Sequence, residues 1–201
     1  MNYLTKISIK STQLVLLTVL FLVCAHVAKA IEKRALIVGL GNYGPDTEWL
    51  KTHGDHDANI MAKEIKSIGF NHYKKLLNNQ ATKKNILGEL NALYDSCKQG
   101  DIVLFYFAGH GQLILDYNAE EQDGYDESLV LYNAPKSFDA VYNNEAHLLD
   151  DEISEIVNRF RIKLGSEGQF ILIVDAGFGW SNAEGNNQFE RGGALPLEAN
   201  L

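Results

Sequence analysis

The run Ile102-Val103-Leu104-Phe105-Tyr106-Phe107, framed by Asp101 and Ala108, constrains this chain more than any other stretch. A strand apolar at every position has no polar face to give to water, so it is buried on both sides and needs a layer above and below it. Ala35 to Gly39 and Phe170 to Val174 repeat the pattern, and Tyr73 to Leu77 and Leu129 to Tyr132 are shorter candidates. Helical spacing fills the intervals. Ala58, Met61, Ala62, Ile65 and Ile68 lie in a helix over 57–68 closed by Gly69. Ile86, Leu87, Leu90 and Leu93 follow Thr82, a candidate N-cap, and Ile153, Ile156, Val157 and Phe160 share one face over 149–160. Strands alternating with helices predict the α/β class: a mostly parallel sheet between two helical layers, a three-layer α/β/α domain. There is no internal repeat.

At 201 residues, with 46% hydrophobic residues and only 3 Pro, the chain has the size and composition of one globular domain. Its net charge of −8 excludes nucleic acid as the main partner, since phosphate binding needs a basic face.

The first thirty residues read as a secretory signal peptide. Lys6 and Lys10 form a positive start, Leu14 to Val23 is nearly all apolar, and Ala28-Lys29-Ala30 is a small-x-small cleavage site. The exported, mature chain would be periplasmic or extracellular; the other reading is an uncleaved N-terminal membrane anchor. Cleavage after Ala30 removes Lys6, Lys10 and Lys29 and no acid, taking the charge from −8 to −11. It also removes Cys24, leaving Cys97 as the one thiol and no internal disulfide. The expected organisation is a signal peptide over 1–30, a domain over 31–181 and an irregular tail over 182–201.

Ligands and catalytic groups of such sheets collect at the carboxyl ends of strands. Three ends here carry candidates. Gly39-Leu40-Gly41-Asn42-Tyr43-Gly44 is a literal G-x-G-x-x-G, but a dinucleotide fingerprint needs a helix to open inside the motif. Pro45, Asp46 and a polar stretch intervene, so a long glycine-rich loop is the better reading, and stabilisation by NAD or a nucleotide would be the sign of the other. His110 stands between Gly109 and Gly111 directly after the most apolar strand, where its imidazole projects into the crevice as a general base and the Gly111 N–H can serve an oxyanion. A partner belongs at the third end, Asp175-Ala176-Gly177-Phe178-Gly179, which has no Ser, Cys or Thr before Ser181.

These segments resemble one family. Arg34 to Gly39, Tyr43, Leu50 and Asp57-Ala58 resemble the opening of a caspase-like peptidase domain of the metacaspase and orthocaspase branch. Phe105 to Gly111 is similar to its histidine motif. Asp123 to Leu129 and Leu149 to Ile153 resemble its acidic motifs, and Phe170 to Gly179 its nucleophile strand and loop. The resemblance implies a cysteine endopeptidase with His110 as base and Gly111 donating to the oxyanion. It also implies that the nucleophile is gone: the family motif Asp-x-Cys-His-Ser-Gly reads Asp175-Ala176-Gly177-Phe178-Gly179-Trp180, with Gly177 where the cysteine belongs. Ser181 would have to displace a loop to reach His110, and Cys97 stands at the wrong end of the sheet.

The resemblance further places Asp57 and Asp175 in a pocket that selects Arg or Lys by charge pairing. Taken singly, Asp57 also reads as a helix N-cap and Asp175 as a loop-capping carboxylate. It places Asp126, Asp150, Asp151 and Glu184 at calcium positions, against the alternative of a solvated acidic face with two acids at a helix start. No cofactor is required by the sequence itself. Relatives continue with two more strands after the nucleophile loop; the expectation is that another polypeptide supplies them or that this is a truncated reading of a longer gene. The expected function is a caspase-like pseudopeptidase that binds basic peptides or regulates an active homologue; the alternative is an Arg/Lys-directed cysteine endopeptidase in which Gly177 is a substitution or sequence error.

Overall fold

The computed structural model describes residues 30–116, 121, 124–138 and 142–178; the leader 1–29, Asp123, Ser181, Glu184 and the 182–201 tail lie outside them. The chain divides into two units, Met1–Ile31 and Glu32–Leu201, and the elements below belong to the second.

In chain order they are β1 (Lys33–Gly39), α1 (Gly54–Ser67), β2 (His72–Leu77), a 3-10 turn (Asn78–Gln80), α2 (Lys83–Ser96), β3 (Ile102–Ala108), β4 (Gly111–Leu115), β5 (Tyr125–Val130), β6 (His147–Leu149), α3 (Asp150–Leu164) and β7 (Gln169–Asp175). Four strands form a parallel sheet in the order β2-β1-β3-β7. Alternate residues of each central strand feed opposite cores, as a period of two requires. Leu36, Val38, Phe105 and Phe107 pack with Ile86 and Leu90 of α2 and Ile156 and Phe160 of α3. Ala35, Ile37, Leu104 and Tyr106 pack with Ala58, Ala62 and Ile65 of α1. The three layers are as the alternation of strands and helices implies.

Three details differ from expectation. The 129–132 strand is instead β5, over Tyr125–Val130, and it belongs to a separate antiparallel sheet, β4-β5-β6. The link from Leu115 to Tyr125 is too short for a parallel crossover, which leaves only antiparallel pairing. β7 is apolar from Phe170 to Val174 yet forms the outer strand of the described sheet, with Leu172 37% and Ile173 38% exposed. The first helix opens at Gly54, with His53 as its N-cap, so Asp57 is not a cap but a first-turn acid.

Glycine explains that early start. A Cβ on Gly54 would lie 2.7 Å from the Leu40 carbonyl oxygen and closer still to that of Ala108, and one on Gly39 would strike the Gly54 carbonyl. The N-terminus of α1 is therefore seated on the carboxyl ends of β1 and β3 at a distance only glycine allows. At Gly41 the Asp55 carboxylate occupies the place of a Cβ, so a larger residue there would have to displace that side chain. The first two glycines of the G-x-G-x-x-G string thus serve helix and loop packing.

The smaller sheet holds two titratable groups of opposite sign. His147 is fully buried; its Nε2–H donates to Gln112 Oε1 at 3.0 Å and its Nδ1 accepts from the Tyr142 hydroxyl at 2.9 Å. The Gln112 amide nitrogen donates to the Lys136 carbonyl at 2.9 Å, which fixes the amide orientation and with it the histidine tautomer. Burial, then the Lys83 charge, lowers the His147 pKa from 6.5 to about 3. Asp126 of β5 is 5% exposed. Its own burial, followed by the charges of Asp150, Asp116, Asp151 and Glu121, raises its pKa from 3.8 to about 6.

Two predictions follow from these placements. Alanine normally favours a helix over glycine by up to about 1 kcal/mol, but Gly54→Ala should lower unfolding stability by about 2 kcal/mol or more, read as a urea midpoint. An unchanged or raised midpoint would mean that α1 is not seated on the strand ends. The second concerns pH. Below pH 6.5 the unfolded chain protonates His147 while the folded chain does not, so stability falls with acidification down to about pH 3. Asp126 is protonated first in the folded chain, so stability rises as pH falls from about 6 towards 4. Between pH 7 and pH 5 the two contribute about 2 kcal/mol lost and about 1 kcal/mol gained, so the gain offsets about half of the loss. Asp126→Asn should steepen the acid loss of stability over that interval, and His147→Gln should reverse its sign; parallel profiles for the two variants would contradict these assignments.

Candidate active site

The register of the parallel sheet sets the site. β3 lies between β1 and β7, with Ala108 paired to Gly39 on one side and to Asp175 on the other. The Gly109 N–H continues the ladder to the Asp175 carbonyl at 3.2 Å. The chains that leave β3 and β7 therefore start side by side, and they carry Gly109-His110-Gly111 and Ala176-Gly177-Phe178.

His110 is enclosed rather than projecting into an open crevice; it is 2% exposed. The loop from Gly41 to His53 folds over it. Trp49 stacks near its ring at a centroid distance of 4.8 Å and Tyr43 at 5.2 Å. The His110 backbone N–H donates to the Tyr43 hydroxyl at 2.7 Å. A Cβ on Gly109 would come within 2.8 Å of that hydroxyl oxygen, so glycine before the histidine is what admits the tyrosine. Trp49 is held in turn: its indole N–H donates to the Ala134 carbonyl at 3.0 Å, and the Lys136 ammonium lies 5.7 Å from its ring.

A hydrogen bond to the loop helps to orient the imidazole. His110 Nε2 lies 2.9 Å from the Leu50 carbonyl oxygen. A carbonyl only accepts, so Nε2 bears the proton and Nδ1 is the nitrogen whose lone pair can take one. A backbone carbonyl thus does the orienting that a carboxylate does in many triads.

Gly111 opens β4 opposite Leu129. The preceding pair is joined by the Val130 N–H to the His110 carbonyl at 3.0 Å. Because hydrogen-bonded and non-bonded pairs alternate in an antiparallel ladder, the Gly111 N–H points away from β5, as an oxyanion donor must. Gly177 follows β7 one residue after Ala176, and its carbonyl oxygen lies 2.8 Å from where a Gly111 Cβ would stand.

The remaining candidates divide. Asp175 ends β7 and Asp57 stands in the first turn of α1, so both lie on the carboxyl edge of the sheet. Cys97 caps the far end of α2, 2% exposed, its thiol donating to the Tyr94 carbonyl at 3.2 Å. Burial raises its pKa. The length of β3 separates it from His110, roughly 20 Å at about 3.3 Å per residue. Ser181 lies outside the described residues.

Asp126, Asp150 and Asp151 are close enough for their charges to act on one another, and burial, ahead of Asp151, also raises the Asp150 pKa. Among the described residues, however, no three His, Cys, Asp or Glu side chains are set as a metal-binding group, and Glu184 is outside them. Asp150 and Asp151 occupy the first turn of α3, where the helix dipole favours acids. Trp49, Gln112, Tyr142 and His147 were not singled out by the sequence; their hydrogen bonds and ring contacts are set by tertiary packing, which leaves no periodic signal.

The metacaspase, peptidase C14 domain profile matches residues 33–182. Metacaspase-1 of Plasmodium falciparum is 30% identical over 158 residues, 72% of this chain and 23% of that protein. Metacaspase-1 of Coccidioides immitis is 27% identical over 137 residues, 64% and 28% of the respective chains. Metacaspase-2 of Arabidopsis thaliana is 36% identical over 78 residues, 39% and 17%. The chain thus spans about a quarter of the length of these relatives. A crystal structure of a Geobacter sulfurreducens protein shares the fold, with a TM-score of 0.56 at 22% identity over 71% of this chain and 49% of that one. By the extent of the profile match, this chain belongs to the metacaspase, peptidase C14 domain family.

Proposed function

We propose that this domain is a metacaspase-family pseudopeptidase: it binds peptides through Arg or Lys, or regulates an active homologue, and does not cut them. One observation carries the reading. The chain leaving β7 beside His110 presents Gly177, and glycine has no side-chain atom to act as nucleophile. The base half of the chemistry is otherwise supported by the geometry, with Nδ1 of His110 able to accept a proton and the Gly111 N–H directed away from its ladder. Asp57 and Asp175 would pair with the basic side chain of the bound peptide, and the first thirty residues would export the chain.

A second reading stands beside it, an Arg/Lys-directed cysteine endopeptidase lineage in which Gly177 is a single substitution. The family membership and the retained His110 favour it. Calcium has no step assigned in either reading, and the assays are run with and without it.

The test uses amide-capped fluorogenic peptides ending in Arg or Lys. The natural chain is expected to bind them without hydrolysis, and Asp175→Asn should weaken binding about tenfold or more by removing a charge-assisted pair. Hydrolysis by the natural chain, abolished in His110→Ala, would establish a peptidase. Equal affinity for Arg-ended and uncharged peptides would remove the basic pocket.

A further inference from the structure

We infer that Asn78 is a positioning residue for the proposed site: its side-chain amide clamps the neck of the loop that orients the His110 ring. The inference rests on the role proposed for His110 and adds a residue that acts on that ring only through others.

Parallel register brings the parts together. Leu77 ends β2 opposite Gly39, so the chains that leave β1 and β2 start side by side. One begins Leu40-Gly41-Asn42, and the other begins with Asn78. The Asn78 backbone is left-handed, with φ of 49°, a conformation that asparagine tolerates better than most residues with a Cβ. Its Oδ1 accepts from the Gly41 N–H at 2.8 Å and from the Asn42 N–H at 2.9 Å. Its Nδ2 donates to Asp55 Oδ2 at 3.2 Å, in the first turn of α1. One side chain therefore joins the end of β2, the start of the loop and the start of the helix.

From there the linkage to the histidine runs through backbone. Gly41, whose N–H is held by Asn78, accepts at its carbonyl from the Thr52 N–H at 3.1 Å, which closes the loop at its neck. The Thr52 hydroxyl donates to the Leu40 carbonyl and accepts from the Gly54 N–H at 3.0 Å. Leu50 lies two residues inside that neck. Its side chain is 58% exposed, so it is backbone anchorage rather than side-chain burial that fixes its carbonyl. That carbonyl is the acceptor 2.9 Å from His110 Nε2. The far side of the loop is held separately, by the Gly44 N–H on the Tyr132 carbonyl and the Trp49 indole on that of Ala134.

The chemistry at 78 is specific to an amide. Two N–H groups and a carboxylate need an acceptor and a donor on one short side chain. Aspartate would accept from Gly41 and Asn42 but would set a second carboxylate against Asp55. Glycine would keep the left-handed backbone and lose all three bonds.

The experiment uses the full chain, labelled at its histidine nitrogens and backbone amides. Asn78→Gly is expected to raise hydrogen exchange of the Gly41 and Asn42 amides about tenfold or more relative to those of Phe105 and Phe107. It should also move the His110 ring nitrogens from a single-tautomer pattern toward the averaged one of a freely exchanging imidazole. His147, held by Gln112 and Tyr142 in the smaller sheet, should keep its pattern. Asn78→Asp should give a smaller change of the same kind. Combining Asn78→Asp with Asp55→Asn exchanges donor and acceptor between the two side chains and should restore both signals. An unchanged His110 pattern in Asn78→Gly would overturn the inference, as would failure of the paired exchange to restore it. Loss of the His110 and His147 patterns together in both single variants would overturn it too, because Asn78 would then hold the fold and not the loop. The ring signals need no peptide, so a chain that shows these changes yet binds no Arg-ended peptide keeps the clamp and removes the basic-peptide reading.

Discussion

The pairing of Ala108 with both Gly39 and Asp175 is the constraint on which the rest of the site depends. Parallel strands in register end at one level, and everything that leaves them there is brought together without further design. β1 gives way to the loop that carries Tyr43, Trp49 and Leu50, β3 to His110 and Gly111, and β7 to Gly177 and Phe178. The loop could not lie so low if α1 were not seated close to the strand ends, and that seat needs Gly39 and Gly54. A single packing distance between a helix N-terminus and two strand ends thus decides how a histidine is enclosed.

The enclosure has a chemical consequence. The His110 Nε2 proton is committed to the Leu50 carbonyl, and its plane is held by Trp49 and Tyr43. Such an imidazole keeps one tautomer while it is neutral, which is what a base facing a nucleophile requires. Under the proposed pseudopeptidase reading, that arrangement would stand beside a glycine at 177 that offers no nucleophile.

Much of this was legible in the sequence for physical reasons. The parallel strands β1 and β3 are buried on both faces and therefore read as unbroken apolar runs, and the two glycines around His110 mark a place where other groups approach closely. The Thr82 cap was legible too, since its side chain accepts from the Asn85 N–H as the pattern implies. What escaped was set by tertiary contact. β4 follows the histidine with no turn signal and only five residues, and β6 has three, so neither shows a period. The start of α1 at Gly54 was hidden because the glycine is there for backbone approach and not for helix propensity. Leu50 acts through its carbonyl, for which no side-chain pattern exists.

The most direct measurement of the account is the tautomer of His110 in the folded, unmodified chain, read from the nitrogen shifts of a histidine-labelled sample at a pH where the ring is neutral. The account predicts a proton on Nε2, held by the Leu50 carbonyl, and a bare Nδ1. A proton on Nδ1, or the averaged signal of a freely exchanging imidazole, would contradict it, because the base would then be neither oriented by the loop nor available to the chain that leaves β7.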